Sequence, residues 1–210
     1  MPELTVQCLS KLSSTDGASD QALPYLQQLR DWVAGYLTQP HAELGRAGPV
    51  CPFARPTLDH DLLWYAVVHG DSPPLPEVVA RLRELTAKFG SLPPEQGPDS
   101  LLKAALIVFP DVRDTSFIDR VQQTLKPDFV AAGLMIGQFY SGCSEPGLWS
   151  STFRPLQSPV PLIAIRHMVS SDFPFLNSSA EWIEAYLRRF APTVPSPVRA
   201  ALADSFSTDG

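Results

Sequence analysis

The chain has 210 residues, 44% of them hydrophobic and 18% charged, enough to bury the core of one domain of ordinary composition. Its formal net charge is −6 and its 16 lysines and arginines are scattered without a basic block, which gives no electrostatic reason to approach nucleic acid or anionic lipid. No run approaches the roughly 18 apolar residues that cross a bilayer, and Met1-Pro2-Glu3 opens no cationic stretch followed by an apolar one; a soluble, cytoplasmic protein with neither nucleic acid nor membrane among its partners is expected.

In chain order, residues 1–20 become small and polar after the first few positions, predicting a flexible start to a single domain over 21–203. From Ala22 to Leu37 the apolar residues Leu23, Leu26, Leu29, Trp32, Val33 and Tyr36 recur at helical spacing, and Pro40 ends that helix. A loop over 40–60 leads into Asp61-Leu-Leu-Trp-Tyr-Ala-Val-Val-His-Gly70, an apolar run that predicts a buried strand. Val78, Val79, Leu82, Leu85 and Phe89 mark a second helix, closed by Gly90, and Leu101 to Phe109 a second strand.

Asp114 is placed to cap a third helix through Phe117, Ile118, Val121 and Leu125, ending near Lys126-Pro127. Phe129 to Tyr140 and Val160 to Val169 then predict two strands that pair. The Gly, Ser and Pro-rich stretch 141–159 between them carries Trp149, Phe153 and Arg154, and an irregular segment of that length suits a functional lid. Ser178-Ser179 cap a last helix through Trp182, Ile183, Tyr186, Leu187 and Phe190, with Arg188 and Arg189 at its C-terminal end; a frayed tail is expected over 204–210. The order predicts an α+β fold: a small mixed or mainly antiparallel sheet covered by helices.

Three cysteines, Cys8, Cys51 and Cys143, are too few and too far apart for a disulfide framework. Cys51 stands in Gly-Pro-Val-Cys51-Pro52-Phe53-Ala, where a stiff turn suits a thiolate that ligates a metal or attacks a substrate; a small residue filling a tight turn is the plain alternative. The four histidines, His41, His60, His69 and His167, form no HExxH or HxH pair, so a metal site would be assembled from distant segments. His41 and His60 flank the Cys51 loop and His69 ends the first strand, which would suit convergence on one sheet edge; ordinary surface or strand-end histidines are the plain alternative. Arg166 and His167 end the last strand, where neighbours face opposite sides; a pocket group or a salt bridge to Asp172 would explain Arg166. Gly137 and Gln138 interrupt an apolar strand, which suits a pocket wall or tight sheet packing. No GxGxxG, GxxxxGK[ST] or GxSxG is present.

On the Gly-Pro-Val-Cys-Pro-Phe-Ala run before Leu62-Leu-Trp-Tyr-Ala, with Gly133-Leu-Met-Ile-Gly-Gln-Phe139 and Ser158-Pro-Val-Pro-Leu-Ile-Ala-Ile-Arg-His-Met168, the chain resembles a bacterial domain family of uncharacterised function over about residues 22–192. More remotely, its Cys-Pro-Phe loop is similar to the YqcI/YcgG family, whose members include haem-dependent enzymes that N-oxygenate guanidine or amine groups of amino acids. That resemblance implies a haem-dependent oxidoreductase of natural-product biosynthesis acting on an amino-acid-like nitrogen substrate. Cys51 or one of His41, His60, His69 and His167 would be the axial ligand, Cys51 and His167 foremost, with Pro52 and Phe53 beside the haem and Arg166, His167 and Gln138 toward substrate. A cofactor-free ligand-binding or accessory protein of a biosynthetic pathway is the alternative, and a homodimer joined through the long loop is a third.

Overall fold

The run Leu62-Leu-Trp-Tyr-Ala-Val-Val68 has no polar side to turn to water, so its place is inside a sheet covered on both faces. The structure, a computed structural model, describes residues 5–9 and 23–207. Five strands are found among them: β1 (Gln7–Cys8), β2 (Leu63–Val67), β3 (Ala104–Val108), β4 (Leu134–Phe139) and β5 (Leu162–His167). They form one open mixed sheet in the order β1-β2-β3-β5-β4. Only β2 and β3 run parallel, joined through α3 (Leu75–Phe89), while β3–β5, β5–β4 and β1–β2 are antiparallel. The expected α+β class holds, and the two expected neighbours do pair, Leu134 opposite His167 and Phe139 opposite Leu162.

Each face of the sheet takes one parity of every strand. Leu63, Tyr65, Leu106, Val108 and Leu162 pack with Leu26, Leu29 and Val33 of the first helix. Ala105, Ile107, Ile163, Ile165, Leu134 and Ile136 pack on the other side against α3 and α4 (Ser116–Ala131). Beside that second layer, α5 (Ala180–Phe190) and α6 (Ser196–Phe206) follow the last strand, and Ala185 joins Val130, Met168 and Leu176 in a smaller apolar cluster.

Several boundaries differ from expectation. The first helix, α1 (Leu23–Trp32), widens into a π turn over Val33–Leu37, where the Thr38 N–H reaches back to the Val33 carbonyl at 3.2 Å. The expected loop 40–60 contains a short 3₁₀ turn, Ala42–Leu44, and a helix, α2 (Ala54–Asp59). The third helix does not stop at Pro127, and the strand expected from Phe129 begins only at Leu134. Proline inside a helix costs roughly 3 kcal/mol. Continuing the helix buries Phe129 and Val130, each worth roughly 1.5–3 kcal/mol, and that outweighs the cost. Asp114 stands one residue before the N-cap, Thr115, and its carboxylate accepts from the Ser116 N–H at 3.2 Å. At the ends, Leu9 is only 1% exposed and α6 continues to Phe206, past the expected start of the tail; residues 10–20 of the expected flexible start lie outside the described residues.

Candidate functional site

The helical stripe of α1 and its π turn puts Trp32 and Tyr36 on one side, with ring centroids 6.3 Å apart. Both hold the long segment 141–159 by its backbone. Trp32 Nε1 donates to the Gln157 carbonyl at 3.0 Å, and the Tyr36 hydroxyl to the Pro155 carbonyl at 3.4 Å. Opposite, the turn 40–50 is closed by a bridge between Pro40 and Pro49, with the Val50 N–H on the Gln39 carbonyl at 2.8 Å. The two loops touch at Gly45, where φ is +75° and a Cβ would stand 2.1 Å from the Trp149 carbonyl oxygen. Only glycine permits that approach. His41 then stacks on Phe153 with centroids 4.4 Å apart. Between helix and loops lies an open cleft of about 660 Å³.

The cleft wall carries an acid, Glu43, a base, Arg154, and the imidazole of His41 among aromatic rings and small polar groups. Arg154 Nη1 is held by the Ser151 and Phe153 carbonyls at 2.6 and 3.2 Å. Among the described residues, neither Glu43 nor Arg154 is in an ion pair. Burial raises the Tyr36 phenol above its ordinary range, so it stays a neutral donor on this wall.

The residues expected from the sequence are spread over the molecule. Cys51 donates its N–H to the Leu37 carbonyl at 2.8 Å and packs half-buried in the apolar layer under α1, off the cleft. Pro52 and Phe53 lead into α2, and the Phe53 ring lies under the Arg166 guanidinium at 4.6 Å. Arg166 is committed to Asp172 through two bonds of 2.7 and 2.6 Å, and Asp172 also accepts the Val169 N–H at 2.8 Å.

His167 faces the other side of the sheet, 5.2 Å from the Phe89 ring, with Nε2 buried and unpartnered. Burial first, then the Arg189 and Lys103 cations, lower it to about 4, against a hydrogen bond with the Ser100 backbone. Gln138 shares that face by strand parity, but its register partner is Ile163, at the opposite end of β5 from His167. Arg166, His167 and Gln138 therefore line no common pocket.

The expected convergence of three histidines is also overturned. His60 Nδ1 meets Asp99 at 3.2 Å before β2 and β3 begin, and His69 Nδ1 meets Asp111 at 3.2 Å after they end. A parallel strand pair of five residues, roughly 3.3 Å per residue, holds those two pairs apart. His41 alone of the three is on the cleft. Among the described residues, no three of His, Cys, Asp and Glu gather into a metal site.

Trp32, Tyr36, Glu43 and Arg154 had no place among the expected site residues, although Arg154 lies in the segment expected to be functional. Their signal was indirect: Glu43 follows His41 in the glycine-rich turn, and Trp32 and Tyr36 sat in a stripe that periodicity assigns to the core.

No curated protein and no solved structure matches the chain. A family profile described as "Domain of unknown function (DUF6875)" matches residues 26–201, from α1 into α6. With that match running through every layer around the cleft, the chain belongs to the DUF6875 domain family.

Proposed function

We propose that the cleft between α1 and the two loops binds a small amino-acid-like nitrogen compound, as the substrate or ligand of a biosynthetic protein. One observation carries this: a carboxylate and a guanidinium, neither in an ion pair, share the wall of a cleft with Trp32, Tyr36 and Phe153. With Nη1 held by two carbonyls, the Nε–Nη2 edge of Arg154 is left to fit a carboxylate, Glu43 accepts from a cationic nitrogen, and the rings supply apolar and cation–π contact. A volume of about 660 Å³ lies in the range of small-molecule sites.

The test is calorimetric titration of the full chain with the proteinogenic amino acids and their decarboxylated amines. Saturable binding is expected, weakened roughly 10- to 100-fold by Glu43→Gln or Arg154→Gln, as loss of a charge-assisted hydrogen bond predicts. Absence of binding across the panel, or wild-type affinity in both variants, overturns the proposal.

A haem-dependent oxidation of the same compound is the second reading, favoured by the position of His41 on the cleft wall. A haem there would supply the oxygen chemistry, with the protein orienting the nitrogen compound beside it. A Soret band that changes in His41→Asn supports this reading. A protein that shows no such band, even after haemin is added, removes it.

A further inference from the structure

The hydrogen bond at the start of the 3₁₀ turn fixes the tautomer of a histidine on the cleft wall. The backbone N–H of Glu43 points at His41 Nδ1, 3.2 Å away. A backbone N–H can only donate, so Nδ1 must accept, and the proton of the neutral ring sits on Nε2. His60 and His69 are the reverse case: each turns Nδ1 to a carboxylate oxygen at 3.2 Å, which needs the proton on Nδ1. The stack on Phe153 at 4.4 Å holds the His41 ring against turning over.

We propose that His41 is a donor of fixed tautomer and a specificity-determining residue of the cleft, its Nε2–H binding the carboxylate of the ligand. The tautomer stands on the backbone hydrogen bond alone; the role toward the ligand rests on the amino-acid reading of the cleft given above. Both the imidazole donor and the Arg154 guanidinium line the cleft and adjoin Phe153, one by stacking and one by sequence, which gives a carboxylate two donors of different kind. The same tautomer opposes metal ligation through Nε2, and so counts against the haem reading of the cleft. Ligation would move the proton to Nδ1 and set two N–H groups against each other at the Glu43 backbone.

Two measurements test this on the full chain. Long-range proton–nitrogen NMR of labelled histidine rings, at mildly alkaline pH, should show one ring with a bare Nδ1 and a protonated Nε2, and that pattern should vanish in His41→Asn. A proton on Nδ1, or exchange between tautomers, overturns the proposal. His41→Asn also keeps the cap, because the amide oxygen takes the place of Nδ1, while the outward donor is lost. It should weaken the amino acids of the panel about tenfold and leave their decarboxylated amines unchanged. An equal loss for both, or no loss, means that His41 merely shapes the wall and refutes its role. If nothing in the panel binds the wild type, the amino-acid reading and the carboxylate role fall together, while the ring spectrum decides the tautomer by itself.

Discussion

Asp172 is 1% exposed and accepts from both terminal nitrogens of Arg166 and from the Val169 N–H. Removing one partner of such a buried pair leaves an uncompensated charge, so Asp172→Ala should cost about 3 kcal/mol of stability in urea unfolding. Arg166→Ala should also lower the midpoint while leaving affinity at the cleft unchanged, since Arg166 is not on its wall; a loss of affinity with unchanged stability would restore Arg166 to the site. This pair was legible in the sequence because its members are near neighbours at a strand end. The environment of His167 was not, because Phe89, Lys103 and Arg189 come from three distant segments. The unfolded chain protonates His167 near 6.5 and the folded chain only near about 4, so between those values the unfolded state binds more protons. The contribution of the neutral ring is whole above about pH 6.5 and is lost as pH falls toward 4, by at most about 1.4 kcal/mol per pH unit. Unfolding midpoints measured across that window should fall less steeply in His167→Leu than in the wild type, and parallel curves would show that another group sets the slope.

At the scale of elements, α4 shows where local rules yield to packing. Its stripe of Phe117, Ile118, Val121 and Leu125 was plain in the sequence, and so was the proline that should have ended it. What lay beyond local reach was that Phe129 and Val130 had buried places waiting on the same helix. Pro127→Ala restores a helical N–H at little cost in contacts and should stabilise the protein by about 1–2 kcal/mol, net of the greater freedom of the unfolded chain. A lower melting temperature would mean that the proline ring itself is needed where it lines the groove between α4 and α5. The clasp between the two loops is the other element-level device. At Gly45 a side chain meets both a φ of +75° and the Trp149 carbonyl, so Gly45→Ala should part the loops and weaken ligand binding at the cleft more than it lowers the melting temperature. Wild-type affinity in that variant would show that the cleft does not depend on the clasp.

Over the whole molecule, the sheet is finished at one edge by a strand the sequence had assigned to a flexible start. Cys8 lies opposite Trp64, the Tyr65 hydroxyl donates to Gln7 at 2.5 Å, and Leu9 is buried. Burial of one leucine contributes about 2 kcal/mol, and a chain of this size shifts by about 2–4 °C per kcal/mol, so deleting residues 1–9 should lower the melting temperature by about 4–8 °C. A change within about 2 °C would show that this edge adds nothing. The short strand escaped notice because two paired residues carry no periodicity to detect.

The sequence by itself determined the class of fold, the order of its longer helices and strands, and the pairing of the last two strands, because hydrophobic periodicity and turn residues act over a few neighbouring positions. It also singled out the long segment 141–159 and His41. Only the tertiary structure decided what faces what. Strand parity sent Arg166 and His167 to opposite faces, the parallel pair β2–β3 set His60 and His69 at opposite ends, and Gly45 let two loops far apart in sequence meet, so that His41, Glu43 and Arg154 share one wall. Such meetings depend on register and on the close approach of backbones, and no local run of residues encodes either.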